Sequence, residues 1–191
     1  MVEQPQPDPE TQVGALAEVL AAHGVRYVVF GSIAGRLHGA ELQTLDIVPE
    51  SSSVNLARLA DALNSLRPRR RTAETGEGMK IDGQLEARHF AGDTFAIGLI
   101  RLGYVDVVLH PKGFEAGYDA LAPRAVVMRV GDSDIFVGNL EDLMRSKEQL
   151  NREKDRLHLP SLRRRAAEIR HESLAIRPPT DDRDLGPDLG M

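Results

Sequence analysis

The sequence contains no cysteine and no tryptophan, and aromatic residues make up only 4% of its 191 residues. The absence of cysteine excludes disulfides, thiolate metal sites and cysteine nucleophiles. No apolar run approaches the ~20 residues that cross a membrane. The first ten residues, MVEQPQPDPE, lack the basic and apolar segments of a signal peptide. We therefore expect a cytoplasmic protein that does not contact a membrane.

The composition is that of one globular domain with acidic ends. Hydrophobic residues make up 41% and charged residues 28%, and the net charge of −5 comes from the two ends of the chain. We predict disordered acidic tails over 1–10 and 172–191, a main domain over 11–138, and helices packed on it over 139–171.

Hydrophobic patterning predicts an α/β or α+β fold, with a mixed β-sheet and helices packed around it. Predicted helices cover 11–23, 33–38, 54–65, 114–121, 140–150 and 155–171, and predicted strands cover 26–30, 45–48, 94–101, 104–109, 125–130 and 134–138. Ser53 and Asn139 are the expected N-caps of the helices that follow them. The basic, glycine-rich segment 67–83 is predicted to be a mobile loop.

A strand ends in Gly31-Ser32, and a helix follows at once. Such a junction directs backbone N–H groups and the positive end of a helix dipole outward, which suits a phosphate. A plain strand-to-helix turn is the alternative.

Two carboxylates lie inside apolar strands. Asp46 is the lone charge in LDIV, and Asp106 is the lone charge in YVDVVL. A carboxylate in such a strand is costly unless it is hydrogen-bonded, paired or bound to a metal. The two together indicate a divalent-cation site on a sheet. Hydrogen bonding of each carboxylate to a neighbouring turn is the alternative.

These residues resemble a known family. The resemblance rests on Gly31-Ser32, His38-Gly39, Thr44-x-Asp46, the strand with Asp106 and the segment NLEDLMRSKEQLNREKD. Together they resemble the minimal nucleotidyltransferases of the DNA polymerase β superfamily. The nearest likeness is to the nucleotidyltransferase-like toxins of bacterial toxin–antitoxin and abortive-infection systems.

The resemblance implies Mg²⁺-dependent transfer of a nucleotide from an NTP to an acceptor hydroxyl. It assigns triphosphate or nucleotide binding to Gly31, Ser32, Lys147 and Asp155, metal binding to Asp46 and Asp106, and catalytic roles to Asp46, Asp106 and Lys147. A tRNA 3′ end as acceptor and an antitoxin protein as partner are further implications of the resemblance.

The sequence departs from the family pattern at the metal site. The family has Asp-x-Asp, whereas QTLDIVPE contains one Asp. Depending on the alignment, Asp46 is either the first or the second carboxylate of the pair. Glu41 or Glu50 could replace the missing carboxylate. The second hypothesis for function is therefore a nucleotidyltransferase-like module with weakened catalytic activity, which binds a nucleotide or a protein partner.

Two arginine clusters predict contacts with an RNA backbone, and solvated surface is the alternative. The clusters are Arg67, Arg69, Arg70 and Arg71 in the predicted loop, and Arg163, Arg164 and Arg165 in the last helix.

Overall fold

The computed structural model describes residues 9–38, 45–72, 75–81, 83–92, 94–99 and 102–175. The strands are β1 Tyr27–Phe30, β2 Leu45–Pro49, β3 Pro68–Thr72, β4 Thr75–Lys80, β5 Thr94–Leu99, β6 Gly103–Val108, β7 Val126–Val130 and β8 Ser133–Val137. The α-helices are α1 Pro9–Ala22, α2 Gly31–Leu37, α3 Ser53–Ser65, α4 Tyr118–Leu121, α5 Leu140–Leu150 and α6 Glu153–Ala175, with short 3-10 helices at Ala87–Phe90 and Ala122–Arg124. None of the helices in these ranges is both long and apolar enough to cross a membrane.

The strands form one mixed sheet in the order β4-β3-β5-β6-β2-β1-β8-β7. Strand β2 lies near the middle, parallel to β6 and antiparallel to β1. Strand β1 also pairs in parallel with β8. The predicted α/β fold with a mixed sheet is therefore confirmed.

Helices cover both faces of the sheet. On one face, α1 contacts α3, and Phe90 packs edge-on against Phe95 of β5. On the other face, the ring of Phe30 packs at 5.9 Å from that of Phe114. Asp46 is the register partner of Phe30 in the antiparallel β1–β2 pair, so it lies on this second face.

The segment 67–83 is where the sequence prediction of a mobile loop was wrong. Its residues 68–72 and 75–80 form β3 and β4. Strand β3 pairs with β5 on one side and β4 on the other. The segment lacks an alternation of apolar and polar residues, and its two strands lie at one edge of the sheet. Backbone pairing therefore decides its conformation.

Several element boundaries also differ from the prediction. Ser52, rather than Ser53, caps α3, because its hydroxyl accepts a hydrogen bond from the backbone N–H of Asn55 at 3.3 Å. The predicted helix over 114–121 is helical only from Tyr118 to Leu121. The predicted tails overlap helices, since α1 begins at Pro9 and α6 continues to Ala175. The rest of both predicted tails lies outside the described residues.

A buried asparagine fixes the β1–β2 pair that positions the site. Asn55 is 2% exposed. Its Oδ1 accepts from the backbone N–H of Arg26 at 2.8 Å, and its Nδ2 donates to the carbonyls of Arg26 and Glu50 at 2.9 and 2.8 Å. These bonds hold the start of β1 against the end of β2.

We predict that Asn55→Ala lowers the free energy of unfolding by about 2 kcal/mol or more, because three hydrogen bonds from a buried side chain to the backbone of Arg26 and Glu50 are lost. Urea denaturation measures the change. Val54→Ala is the matched control on the same helix, since Val54 is 60% exposed, and it should change stability by less than about 0.5 kcal/mol. Equal effects of the two substitutions would contradict this role for Asn55.

Candidate active site

The two predicted carboxylates lie side by side. Strands β2 and β6 are parallel, and Asp46 is paired in register with Asp106. Residues at the same register of adjacent strands point to the same face, with the strands about 4.8 Å apart. The structure therefore brings together the two acids that the apolar strands singled out.

The position of Asp46 favours its neutral form unless a positive charge is supplied. Burial and the adjacent Asp106 raise the pKa of Asp46 to about 7, against the opposing effects of Lys147 and of a hydrogen bond from the backbone N–H of Ser32. A buried carboxylate whose pKa is raised by a neighbouring carboxylate is one that a bound cation would stabilise in its charged form.

Gly31 is required at its position by both conformation and space. Its φ is +65°, a backbone conformation that residues other than glycine rarely adopt. A Cβ atom there would overlap the carboxyl group of Asp46. The Asp46 side chain thus packs directly against the predicted phosphate-binding turn, Gly31-Ser32. The N–H of Ser32 is directed at the Asp46 carboxyl group.

Lys147 is held in the same cleft by a buried ion-pair network. Its Nζ lies 3.4 Å from Oδ1 of Asp155, and Nε of Arg152 lies 2.5 Å from Oδ2 of Asp155. Asp155 is 0% and Lys147 6% exposed. A buried carboxylate needs such partners, because an unpaired charge in the interior is strongly destabilising.

The turn between α5 and α6 creates this network. Asn151 adopts the left-handed conformation, with φ +49°, and its N–H donates to the carbonyl of Lys147 at 2.9 Å. Asparagine tolerates this conformation better than most residues. The chain reverses here, and α6 returns Asp155 to the side chain of Lys147.

Opposing effects act on the charges of the network. Burial lowers the pKa of Lys147, while Asp155 and Asp46 raise it, and the net shift is downward. Burial raises the pKa of Asp155, but Arg152 and Lys147 outweigh burial and leave that pKa lowered. Asp155 therefore serves as the fixed anion that keeps Lys147 in place.

A cleft of about 970 Å³ surrounds these groups. Its charged lining consists of Arg36, Asp46, Asp106, Lys112, Glu115, Lys147, Arg152, Lys154 and Asp155, joined by His110 and His158. Gly31 and Ser32 line it too, so all the site residues singled out in the sequence meet here. Sequence reasoning missed Arg36, Lys112 and His158. Only His158 carried a signal, since it follows Asp155 by three residues and thus shares its helix face.

The site suits one divalent cation rather than two. Hard oxygen ligands are what Mg²⁺ prefers, and Asp46 with Asp106 supplies them. Within the described ranges, no group of three or more histidine, aspartate and glutamate side chains is placed to hold a metal ion. Glu50 does not replace the missing acid, because it pairs with Arg26 at 2.9 Å. Glu41 and Thr44 lie outside the described residues.

The arginines of the last helix are largely engaged within the chain. Arg163 pairs with Glu148 at 2.8 Å, and Arg165 donates to the backbone carbonyl of His38 at 2.7 Å. Arg164 lies 4.0 Å from Glu168. The contacts of Arg163 and Arg165 tie α6 to the rest of the chain, whereas the pair of Arg164 with Glu168 lies within α6. In the other cluster, Arg67 precedes β3, whereas Arg69, Arg70 and Arg71 belong to it.

The fold has known structural counterparts. It is similar to the lincosamide antibiotic adenylyltransferase LnuA in a lincomycin-bound structure, with a TM-score of 0.57 and 11% identity over 84% of this chain and 98% of LnuA. It is also similar to a candidate nucleotidyltransferase from Thermotoga maritima, with a TM-score of 0.50 and 16% identity over 92% of this chain and 98% of that protein. The chain has the nucleotidyltransferase fold. No protein-family model and no curated protein matches the sequence of this nucleotidyltransferase-fold chain.

We predict that Gly31→Ala destabilises the protein more than Gly24→Ala. Gly24 is the matched control because its φ is +64° but an added Cβ would have only an ordinary contact, 3.9 Å from a nitrogen of Arg58. Both substitutions should lower the free energy of unfolding by about 1 kcal/mol, because alanine is strained at a positive φ. Gly31→Ala should lower the free energy of unfolding by at least about 1 kcal/mol more than Gly24→Ala, because its Cβ displaces the Asp46 side chain. Chemical denaturation of both variants measures the difference, and equal losses would refute the close packing of Gly31 on Asp46.

We predict that Asp46→Asn raises the melting temperature by several degrees at about pH 8 in the presence of a chelator, and by much less at about pH 4. The pKa of Asp46 is about 7 in the folded protein and near 3.8 otherwise. The folded chain thus binds this proton more tightly, and the contribution of Asp46 to stability is lost as the pH rises from 4 towards 7. Calorimetry at several pH values tests this, and a gain that does not depend on pH would count against it.

Proposed function

We propose that the protein is a nucleotidyltransferase that binds the triphosphate of an NTP together with Mg²⁺ and transfers a nucleotide to an acceptor hydroxyl. The carrying observation is the register pairing of Asp46 with Asp106, in a cleft shared with Lys147. Two adjacent acids facing a buried lysine are an arrangement that suits a cation and a polyphosphate bound together.

Each side chain has a role that its surroundings support. Asp46 and Asp106 are the proposed magnesium ligands, and Lys147, kept in place by Asp155, is the proposed contact to the phosphates. Mg²⁺ bound there would neutralise the triphosphate and polarise the phosphorus that is attacked. Gly31 allows the Asp46 carboxyl group to lie against the backbone, and Arg152 completes the support of Lys147.

The transfer itself is an in-line substitution at the α-phosphorus. The oxygen of the acceptor hydroxyl forms a bond to phosphorus while the bond to pyrophosphate breaks. Asp106 is the proposed acceptor of the hydroxyl proton, since Asp46 is held against Gly31 and Ser32. Lys147 stabilises the negative charge of the phosphates.

The acceptor is a separate question. A tRNA 3′ end, the role of a toxin and an antitoxin partner stay predictions from the resemblance. The internal pairing of Arg163 and Arg165 leaves less free positive charge on α6 for RNA. LnuA modifies lincosamide antibiotics by name, so a hydroxyl on a small molecule is a second acceptor class for this protein.

A second function is favoured by the reduced set of acids. With two carboxylates, the cleft would bind a nucleotide and one cation without efficient transfer. In this case the protein would act as a nucleotide-binding module.

We predict that the protein labels an acceptor when it is incubated with Mg²⁺ and each α-labelled NTP, with either total RNA or a fraction of small molecules as acceptor. Asp46→Asn and Asp106→Asn should each reduce labelling at least about 100-fold, because each removes one of two cation ligands. Asp134→Asn is the matched control, because this exposed acid lies in the β7–β8 hairpin. It should label like the parent protein.

Nucleotide binding, measured by calorimetry with Mg²⁺, separates the two functions. Binding that depends on Asp46, without labelling of either acceptor fraction, supports the module. Absence of NTP binding in the parent protein overturns both functions.

A further inference from the structure

One buried nitrogen in the cleft has no partner. Nδ1 of His158 is the single buried side-chain polar atom without a hydrogen bond among the residues that the structure describes. Buried polar atoms in folded proteins are nearly always hydrogen-bonded, and an exception calls for a physical explanation. The ring as a whole is only partly buried, so its other edge can meet a ligand.

His158 lies on the face of α6 that carries the site. It follows Asp155 by three residues, and both side chains line the cleft with Lys147. Residues three apart on a helix are neighbours on one face. His158 is therefore placed beside the ion pair of Lys147 and Asp155.

The charges around His158 favour a neutral ring. Burial, Lys147 and Lys154 lower its pKa, and Asp155 opposes them. A neutral imidazole has one N–H donor and one acceptor nitrogen. An ammonium group has three N–H donors, and among the described residues one donor of Lys147 bonds to Asp155.

We propose that His158 is a phosphate-binding residue, with Nδ1 accepting a hydrogen bond from Lys147 and the Nε2–H donating to the polyphosphate of the bound nucleotide. This inference rests on the proposed nucleotide binding at the same cleft. Lys147 lines the same cleft and its charge acts on the ring, so it is the proposed donor to Nδ1, and this bond would fix the tautomer that carries its proton on Nε2. His158 thus links Lys147 to the ligand.

The test uses inorganic tripolyphosphate with Mg²⁺ as the probe, because this anion carries the phosphate chain without a base or sugar. We expect His158→Ala to weaken binding of the probe by about tenfold, the loss of one hydrogen bond to a charged group. His158→Gln should stay within about threefold of the parent protein, because its amide N–H reaches the position of Nε2. His158→Asn, whose amide is shorter, should resemble His158→Ala.

Stability measurements separate ligand binding from packing. His158→Leu fills a similar space without polar atoms, so its melting temperature should equal or exceed that of the parent while binding of the probe falls about tenfold. His171→Ala is the matched control, because His171 is exposed on the same helix, and it should leave binding unchanged. Unchanged binding in His158→Ala and His158→Leu would overturn the proposal.

Nitrogen-15 NMR of the histidine rings gives a second readout. We expect the His158 signals to report a proton on Nε2 and to shift when the probe is added. A proton on Nδ1, or signals that do not respond to saturating probe, would overturn the inference about His158. Failure of the parent protein to bind the probe would instead overturn the proposed function, on which the inference rests.

Discussion

The parallel pairing of β2 with β6 is the constraint on which the site depends. It places Asp46 and Asp106 at the same register, so two like charges share one patch of the sheet. Burial, and then repulsion from Asp106, raise the pKa of Asp46 to about 7. Each neighbouring feature compensates for this arrangement: Gly31 leaves room for the carboxyl group, the N–H of Ser32 donates to it, and Lys147 faces it. A fold that needed only stability would place apolar side chains here.

Lys147 is useful only because a second buried anion holds it. Asp155 is 0% exposed and pairs with both Lys147 and Arg152, so a reversal between two helices is fixed by charge as well as by packing. The three residues lie on both sides of the reversal, so their ion pairs hold the two helices together. Lys147 is at the end of α5, Arg152 is in the turn and Asp155 is in the first turn of α6. Loss of the Asp155 carboxylate would leave the charge of Lys147 buried without its ion-pair partner. The helix reversal that lines one side of the cleft would then be destabilised.

The sequence predicted those parts whose signal is local. Asp46 and Asp106 stood out because a carboxylate in an apolar strand is anomalous, and Gly31 stood out because it ends a buried strand. The strands around them followed from short β-branched runs. By contrast, β3 and β4 have no apolar alternation, since their pairing with β5 is a long-range event that no window of residues reveals. His158 was missed for a similar reason, because its importance arises from an unpartnered atom seen only after α6 is packed.

Under the proposed function, the charges that line the cleft favour joint binding of a cation and a polyphosphate. A triphosphate entering alone would meet Asp46 and Asp106, and repulsion would oppose the attraction of Lys147. A cation entering alone would be held by two carboxylates, fewer than a protein cage for Mg²⁺ supplies. Each ligand would remove the obstacle to the other, so each would raise the affinity for the other by the same factor. Because QTLDIVPE lacks one carboxylate of the family's Asp-x-Asp pair, more of the cation's coordination would fall to the phosphates, and this coupling would become stronger.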